Sequence, residues 1–371
     1  MSYKYLNQFN PFKNESVKVM DKDGNIINKS LMPEVSDEEL LEAYKMMNKS
    51  RMLDVYQNKM QRQGRLLSFL TSTGQEACEV AYINALDKKT DHYAPGYRNS
   101  AAWLTMGQEI RNIMLYWSGN EAGGRAPDGV NLLPPNIVIG TQFSLATGLA
   151  FAKKYFGENG IAVTSTGDGG MSEGETYEAM NFAKLHELPI IFISENNKWS
   201  ISTPTHEQTK SINMAVKAVA TAIPSIKVDG NDYLASFGVM QEVVQYVRSG
   251  GGPFFVEFDT YRLGAHSSSD SPDSYRPKGE YEEHVPYDPL IRVKAYLIKK
   301  GIWDENKQTS LDEEQTQLMA EEFKWVEANK NYGIEDIFKY QFAELEDDHK
   351  EQLAEAKEFF AKHPNSIGGH H

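Results

Sequence analysis

The chain has 371 residues, 40% of them hydrophobic and 24% charged, which suits one large α/β domain or two small ones. Its net charge of −14 disfavours nucleic acid and anionic membrane as partners, and no apolar run approaches the roughly 20 residues that span a bilayer. The single cysteine, Cys78, rules out an intrachain disulfide and fits a reducing cytosol. Since the N-terminus also lacks the continuous apolar core of a signal peptide, a cytoplasmic protein is expected.

Residues up to about Pro33 are polar and irregular, with Asp21-Lys22-Asp23-Gly24-Asn25 reading as a hairpin or turn. A helix starts near Ser36, whose hydroxyl can cap it with Glu39 three residues on. Leu40, Leu41, Tyr44, Met47 and Met52 then recur at helical spacing. A second helix covers about 74–85 and stops before the charged turn Asp87-Lys88-Lys89-Thr90-Asp91. From there the chain alternates. Strands are expected at 137–139, 161–165, 190–194, 226–228 and 254–258, with helices at about 144–155, 173–185, 214–222 and 233–248. Five apolar runs separated by helices argue for a doubly wound parallel sheet. Ser, Asp and Pro dominate 264–286, a loop long enough to be functional or disordered. Charged helices follow at 288–300 and 312–329. The expected organisation is an N-terminal arm and helix (1–60), an α/β domain with its loop (61–286), a C-terminal helical region (287–367) and a tag remnant (368–371).

Gly167-Asp168-Gly169-Gly170 directly follows one apolar run, and Glu195-Asn196-Asn197 ends the next. With a helix between them, the two runs form a right-handed β-α-β unit whose carboxyl ends lie side by side. Asp168 and Asn197 therefore converge on one rim. Two hard oxygen ligands beside a helix N-terminus suit magnesium and a diphosphate. Asp-Gly and Asn-Asn are also ordinary turn residues; it is their joint position that points to a metal–diphosphate site. Competing phosphate signatures are absent: there is no Gly-x-x-x-x-Gly-Lys-Ser/Thr, and Ser172 stands where a dinucleotide fingerprint needs its third glycine.

Gly167-Asp168-Gly169 followed by Asn196-Asn197 resembles the thiamine diphosphate signature of transketolase-like enzymes. From about Leu40 to Pro289 the chain resembles the alpha subunit of the 2-oxoacid dehydrogenase component that decarboxylates the substrate, most like the bacterial pyruvate-acting members. Three stretches carry the likeness: Gly74-Gln75-Glu76-Ala77, Pro95-Gly96-Tyr97-Arg98, and Tyr261-Arg262-Leu263-Gly264-Ala265-His266-Ser267-Ser268-Ser269-Asp270 closed by Tyr275-Arg276. The resemblance implies a thiamine-diphosphate-binding fold with helical N- and C-terminal extensions.

It also implies roles for individual residues. Asp168, Asn197 and the backbone carbonyl of Trp199 would hold Mg2+, and Gly169 and Gly170 would let the backbone approach the diphosphate. Tyr97, Arg98 and Arg262 would bind phosphate. Ile139 would support the bent cofactor from below, and Ile137 would contribute its carbonyl; the same two residues also read as a buried central strand. His266 is the candidate catalytic side chain, since an imidazole can donate hydrogen bonds near neutral pH. His92, His186 and His284 are read as structural. Ser267 matches a serine phosphorylated in mitochondrial relatives, a regulation not expected here.

The glutamate that thiamine enzymes need to protonate the aminopyrimidine has no matched position. In the resembled family it lies on a beta subunit, so half of an active site is expected, in an α2β2 assembly that serves the lipoyl arm of an acyltransferase core. Small residues Ala146, Gly148, Ala150 and Ala152 would permit close helix contact. Pyruvate is the expected substrate. Branched-chain 2-oxoacid and acetoin dehydrogenases are the rivals, because Ser68-Phe69-Leu70-Thr71-Ser72-Thr73 lacks the histidine that mitochondrial pyruvate enzymes place there. A non-catalytic binding or adhesion role is the rival of another class.

Overall fold

The computed structural model describes residues 3–331 and 333–366, so the tag remnant expected at 368–371 lies outside the described residues. The first helix, α1 (Asp37–Arg62), starts where the sequence places it. The Glu39 N–H donates to the Ser36 hydroxyl at 3.1 Å and the Ser36 N–H donates to Glu39 Oε2 at 2.8 Å, a complete capping box. Next come α2 (Glu76–Asn84), β1 (His92–Ala94), α3 (Ser100–Met106), α4 (Ile110–Trp117) and α5 (Thr141–Phe156). The centre holds β2 (Ala162–Gly167), α6 (Gly174–Leu185), β3 (Ile190–Asn196) and a small hairpin of β4 (Trp199–Ser200) with β5 (Thr203–Pro204). Two short helices, α7 (Thr205–Gln208) and α8 (Ala215–Val219), lead to β6 (Ser225–Asp229), α9 (Tyr233–Tyr246) and β7 (Phe254–Asp259). The C-terminal part is helical: α10 (Glu280–His284), α11 (Pro289–Lys299), α12 (Glu305–Asn329) and α13 (Asp347–Lys362).

The main sheet runs β1-β2-β3-β7-β6 with every neighbouring pair parallel. Alternate residues of each strand feed opposite cores. In β3, Ile190 and Phe192 pack with Phe143, Met180 and Ala215 from α5, α6 and α8. Ile191 and Ile193 join the other core with Val80 of α2 and Val239 and Val243 of α9. Helices on both faces explain why this strand reads as one continuous apolar run instead of alternating. The expected doubly wound parallel sheet is present.

One strand differs from expectation. Residues 137–139 form no strand: Asn136 makes a single bridge to Gly96, and the chain then turns into α5 through Gly140 at φ 94°. Ile137, Val138 and Ile139 are 51, 65 and 40% exposed, so they are not a buried central strand. The sheet edge belongs to His92–Ala94. Three residues after a charged turn are too short for periodicity to reveal, and their pairing with Ala162–Thr164 is what makes them a strand. The helix read at 214–222 is shorter, and the 264–286 loop carries the helical turn Pro272–Ser274 and α10.

The N-terminal arm is more ordered than its polarity suggests. Val17 adds a parallel bridge to Val228, and Asp21-Asn25 closes a turn with the Asp21 N–H donating to the Asn25 carbonyl at 2.9 Å. In the C-terminal region α12 lies against α1: the Tyr44 hydroxyl donates to Gln308 at 2.5 Å, and Asn48 donates to Asp312 and Gln315 at 2.9 and 2.8 Å.

Candidate active site

The register of β2 on β3 sets Gly167 opposite Glu195, so Asp168 and Asn197 leave adjacent strands at the same rim, as the crossover argument requires. Both are buried. Asp168 Oδ2 accepts from the hydroxyls of Thr205 at 2.9 Å and Ser200 at 3.2 Å, and among the described residues Oδ1 has no hydrogen-bond partner. Burial pushes the Asp168 carboxyl up, against the pull of those hydroxyls. Asn197 donates from Nδ2 to Gln75 Oε1 at 2.7 Å, and its Oδ1 accepts from the Trp199 N–H at 3.3 Å. The turn that follows is strained: Lys198 and Ile201, neither of them glycine, have φ 76° and 56°. It brings the Trp199 carbonyl to the same neighbourhood, where it accepts from Arg262 Nη1 at 3.2 Å.

Two glycines are needed for space. A Cβ on Gly170 would lie 2.0 Å from Thr166 Oγ1, and one on Gly169 would lie 2.7 Å from Ser200 Oγ. Asp168, Gly169, Gly170, Asn197, Trp199, Tyr97, Arg98, Ile139 and His266 all line one cavity of about 300 Å³. Ile137 and Arg262 do not.

The opposite wall is cationic. Arg98 is 8% exposed and donates to the Thr71 carbonyl at 2.9 Å and the His266 carbonyl at 2.7 Å, with the His266 Nδ1 3.0 Å away. Arg262 stands behind the cavity wall. Its guanidinium donates to Trp199 and Ile201 carbonyls and to the Tyr275 hydroxyl, and comes within 3.3 Å of His266 Nδ1. Instead of lining the cavity as a phosphate ligand, it braces the Trp199 turn. Among the described residues neither Arg98 nor Arg262 is ion-paired with a carboxylate. Burial pushes Arg262 down to about 10, with Arg98 adding to the effect.

His266 faces two groups that can only donate. Its Nδ1 must accept, so the neutral ring carries its proton on Nε2. Burial, then Arg98, then Arg262 hold the imidazole down at about 4. The loop is fixed locally by Asp270, whose carboxylate accepts from the His266 N–H at 2.8 Å and the Tyr275 hydroxyl at 2.6 Å. His284 stacks on Tyr261 with ring centroids 3.8 Å apart.

A buried polar network in the cavity lining escaped sequence reasoning. Glu195 Oε2 accepts from Gln75 Nε2 at 2.5 Å; its Oε1 accepts from Asn99 Nδ2 at 2.8 Å and the Tyr82 hydroxyl at 3.0 Å. Glu79 lies beside it, and burial pushes both carboxyls up. The available signal was a glutamate closing the apolar run Ile190–Ser194, a position where a charge needs partners. Among the described residues no three His, Cys, Asp or Glu side chains cluster to hold a metal. An ion here must use amide and carbonyl oxygens beside the one carboxylate of Asp168.

The model of the family described as "Dehydrogenase E1 component" matches residues 44–335. A protein of Acholeplasma laidlawii named pyruvate dehydrogenase E1 component subunit alpha is 39% identical over 91% of this chain and 99% of its own length. Proteins of the same name from Staphylococcus aureus and Mycoplasma genitalium are 40 and 36% identical, covering 81 and 92% of this chain and 81 and 96% of theirs. The chain therefore belongs to the dehydrogenase E1 component family.

Proposed function

We infer that the chain is the alpha subunit of a thiamine-diphosphate- and Mg2+-dependent pyruvate dehydrogenase, working with a beta subunit and the lipoyl arm of an acyltransferase core. The observation that carries this is one cavity with Asp168 and Asn197 on one wall and the buried, carboxylate-free Arg98 on the other. The residues fit the group. Carboxylate, amide and carbonyl oxygens are hard donors suited to Mg2+, Gly169 and Gly170 line the cavity without side chains, and an unneutralised guanidinium suits a diphosphate.

Bound there, the cofactor would supply an electron sink for decarboxylation of a 2-oxoacid. The chain's own part is to bind and to orient. Asp168, Asn197 and the Trp199 carbonyl would hold the metal; Arg98 and Tyr97 would meet the phosphates; Ile139 would support the cofactor's bend. His266, lining the same cavity, presents a neutral ring whose Nε2–H can donate to an oxygen in the cavity. It becomes a proton donor only when a bound anion offsets Arg98 and Arg262, which raises its pKa toward neutrality.

The buried Glu195 has both oxygens engaged by Gln75, Asn99 and Tyr82, so it is not free to protonate the cofactor. A partner must bring that acid. Exposed Ile137 and Val138 at the foot of α5, with Leu145 on the helix, offer an apolar face for it. The relatives' names favour pyruvate over branched-chain substrates. A cytoplasmic location fits the buried lone Cys78 and the lack, among the described residues, of any helix long and apolar enough to cross a membrane. Turnover of pyruvate and of 3-methyl-2-oxobutanoate by the purified pair of subunits tests the reading. Preference for the branched substrate, or cofactor-independent behaviour, overturns it.

A further inference from the structure

We propose that Glu195 is a positioning residue that sets the orientation of both walls of the cofactor site, through Gln75 to Asn197 and through Asn99 to the turn at Gly96. The inference rests on the metal and cofactor reading given above.

A carboxylate that receives three N–H or O–H donors acts as an acceptor only. Glu195 Oε2 accepts from Gln75 Nε2 at 2.5 Å, so the other end of that amide, Oε1, faces Asn197 and accepts from its Nδ2 at 2.7 Å. With Nδ2 held there, Asn197 Oδ1 is turned the other way, and Oδ1 is the atom a metal needs. Flipping Gln75 would set its N–H against the Asn197 N–H, and flipping Asn197 would set its oxygen against Gln75 Oε1, each in a buried place. On the second branch, Glu195 Oε1 accepts from Asn99 Nδ2 at 2.8 Å. Asn99 Oδ1 then accepts from the Gly96 N–H at 3.0 Å and the Ser165 hydroxyl at 3.1 Å. That fixes the turn leading directly into Tyr97 and Arg98.

Gln75, Glu195, Asn99 and Asn197 are 1, 2, 4 and 4% exposed, so bulk water cannot replace a lost partner. In such surroundings a mispaired donor is costly and the order of the amides is firmly set. One buried carboxylate thus chooses the face that an amide oxygen shows to the metal and holds the backbone that carries the phosphate-facing arginine. Partners behind metal ligands commonly tune affinity in this way.

The exchange of two residues tests it. Glu195→Gln must present an N–H to donors on one branch or the other. The double exchange Glu195→Gln with Gln75→Glu keeps the charge and restores the order on the metal branch: the amide placed at 195 donates to the carboxylate placed at 75, which accepts from Asn197. Mn2+ binding would be followed by electron paramagnetic resonance in the alpha–beta complex with thiamine diphosphate, with thermal unfolding measured in parallel. Glu195→Gln is expected to weaken Mn2+ binding roughly 10- to 100-fold, and the double exchange to recover most of that loss. A purely structural role would lower Mn2+ affinity and unfolding temperature together, whereas a positioning role lowers the affinity at a nearly unchanged unfolding temperature. Wild-type Mn2+ affinity in Glu195→Gln overturns the proposal. So does a double exchange that restores neither folding nor affinity. If the wild-type complex itself shows no saturable Mn2+ binding, the metal site is wrong and the proposal falls with it.

Discussion

The imidazole of His266 should titrate far below an ordinary histidine while no anion is bound. Burial is the first cause, and the guanidinium groups of Arg98 and Arg262, 3.0 and 3.3 Å from Nδ1, are the next. The unfolded chain takes up this proton near 6.5 and the folded chain only near 4. Protonation therefore favours unfolding: the contribution is intact above about pH 6.5, is lost as pH falls from 6.5 toward 4, and stays lost below that. The full difference in affinity for the proton corresponds to at most roughly 3 kcal/mol, and partial exposure of the ring reduces it to about 1–2 kcal/mol. His266→Gln removes the titrating group but keeps an acceptor for Arg98. Urea unfolding of wild type and variant at pH 7 and pH 4.5 should show the variant losing about 1–2 kcal/mol less over that interval. Histidine-labelled NMR adds a direct reading, with the ring in its Nε2–H form at pH 7. An imidazole assigned to His266 that titrates near 6.5, or that carries its proton on Nδ1, would refute the reasoning.

Other consequences are open to measurement. Asp168→Ala should abolish metal-dependent cofactor binding and leave the fold intact, since its loss removes the one carboxylate of the ligand set; isothermal titration with thiamine diphosphate and Mg2+ checks it, and unchanged affinity refutes the assignment. The chain without its beta partner should bind cofactor weakly and fail to reduce a dye with pyruvate, whereas robust turnover by the isolated chain would sink the half-site argument. Gly74→Ala should destabilise the protein by about 2–4 kcal/mol, because Gly74 has φ 104° and a Cβ there would lie 2.2 Å from the Tyr261 carbonyl. Urea midpoints read this last effect, and a near-neutral change would show that the 261–264 backbone yields.

Sequence made the sheet and one wall of the site legible because both are local patterns. Continuous apolar runs such as Ile190–Ser194 mark strands covered on both faces, and Asp168 and Asn197 sit at fixed offsets from two of them. His266 and Arg98 came from resemblance, and the cavity joins them to Asp168 and Asn197. What stayed hidden depends on pairing across long separations. His92–Ala94 is a strand only because Ala162–Thr164 lies beside it. Ile137–Ile139 has strand composition, yet no sheet position is available and the triplet is left at the surface. Arg262 looked like a phosphate ligand from the matched motif, but its two Nη groups are drawn to the carbonyls of the Trp199 turn. Glu195 is the clearest case. Its role depends on Gln75, 120 positions away, and Asn99, 96 positions away, distances at which no periodicity operates.

The same network explains how an acidic chain can prepare a place for a diphosphate. At a net charge of −14 the long-range field opposes any anion, but that field is screened within about 8 Å at physiological ionic strength. Inside the cavity the balance is set by what is buried. Among the described residues Arg98 has carbonyl, imidazole and tyrosine-ring partners, which orient it without neutralising it. The nearby carboxylate of Glu195 is committed to amide and phenol donors, and Glu79, its neighbour, is pushed up by burial toward its neutral form. Acids thus surround the site without answering its arginine. An anion entering the cavity meets a desolvated cation that has already given up water, so little further dehydration opposes the pairing. The negative surface sets how often the anion arrives, and the buried order of carboxylate, amide and guanidinium sets how firmly it is held.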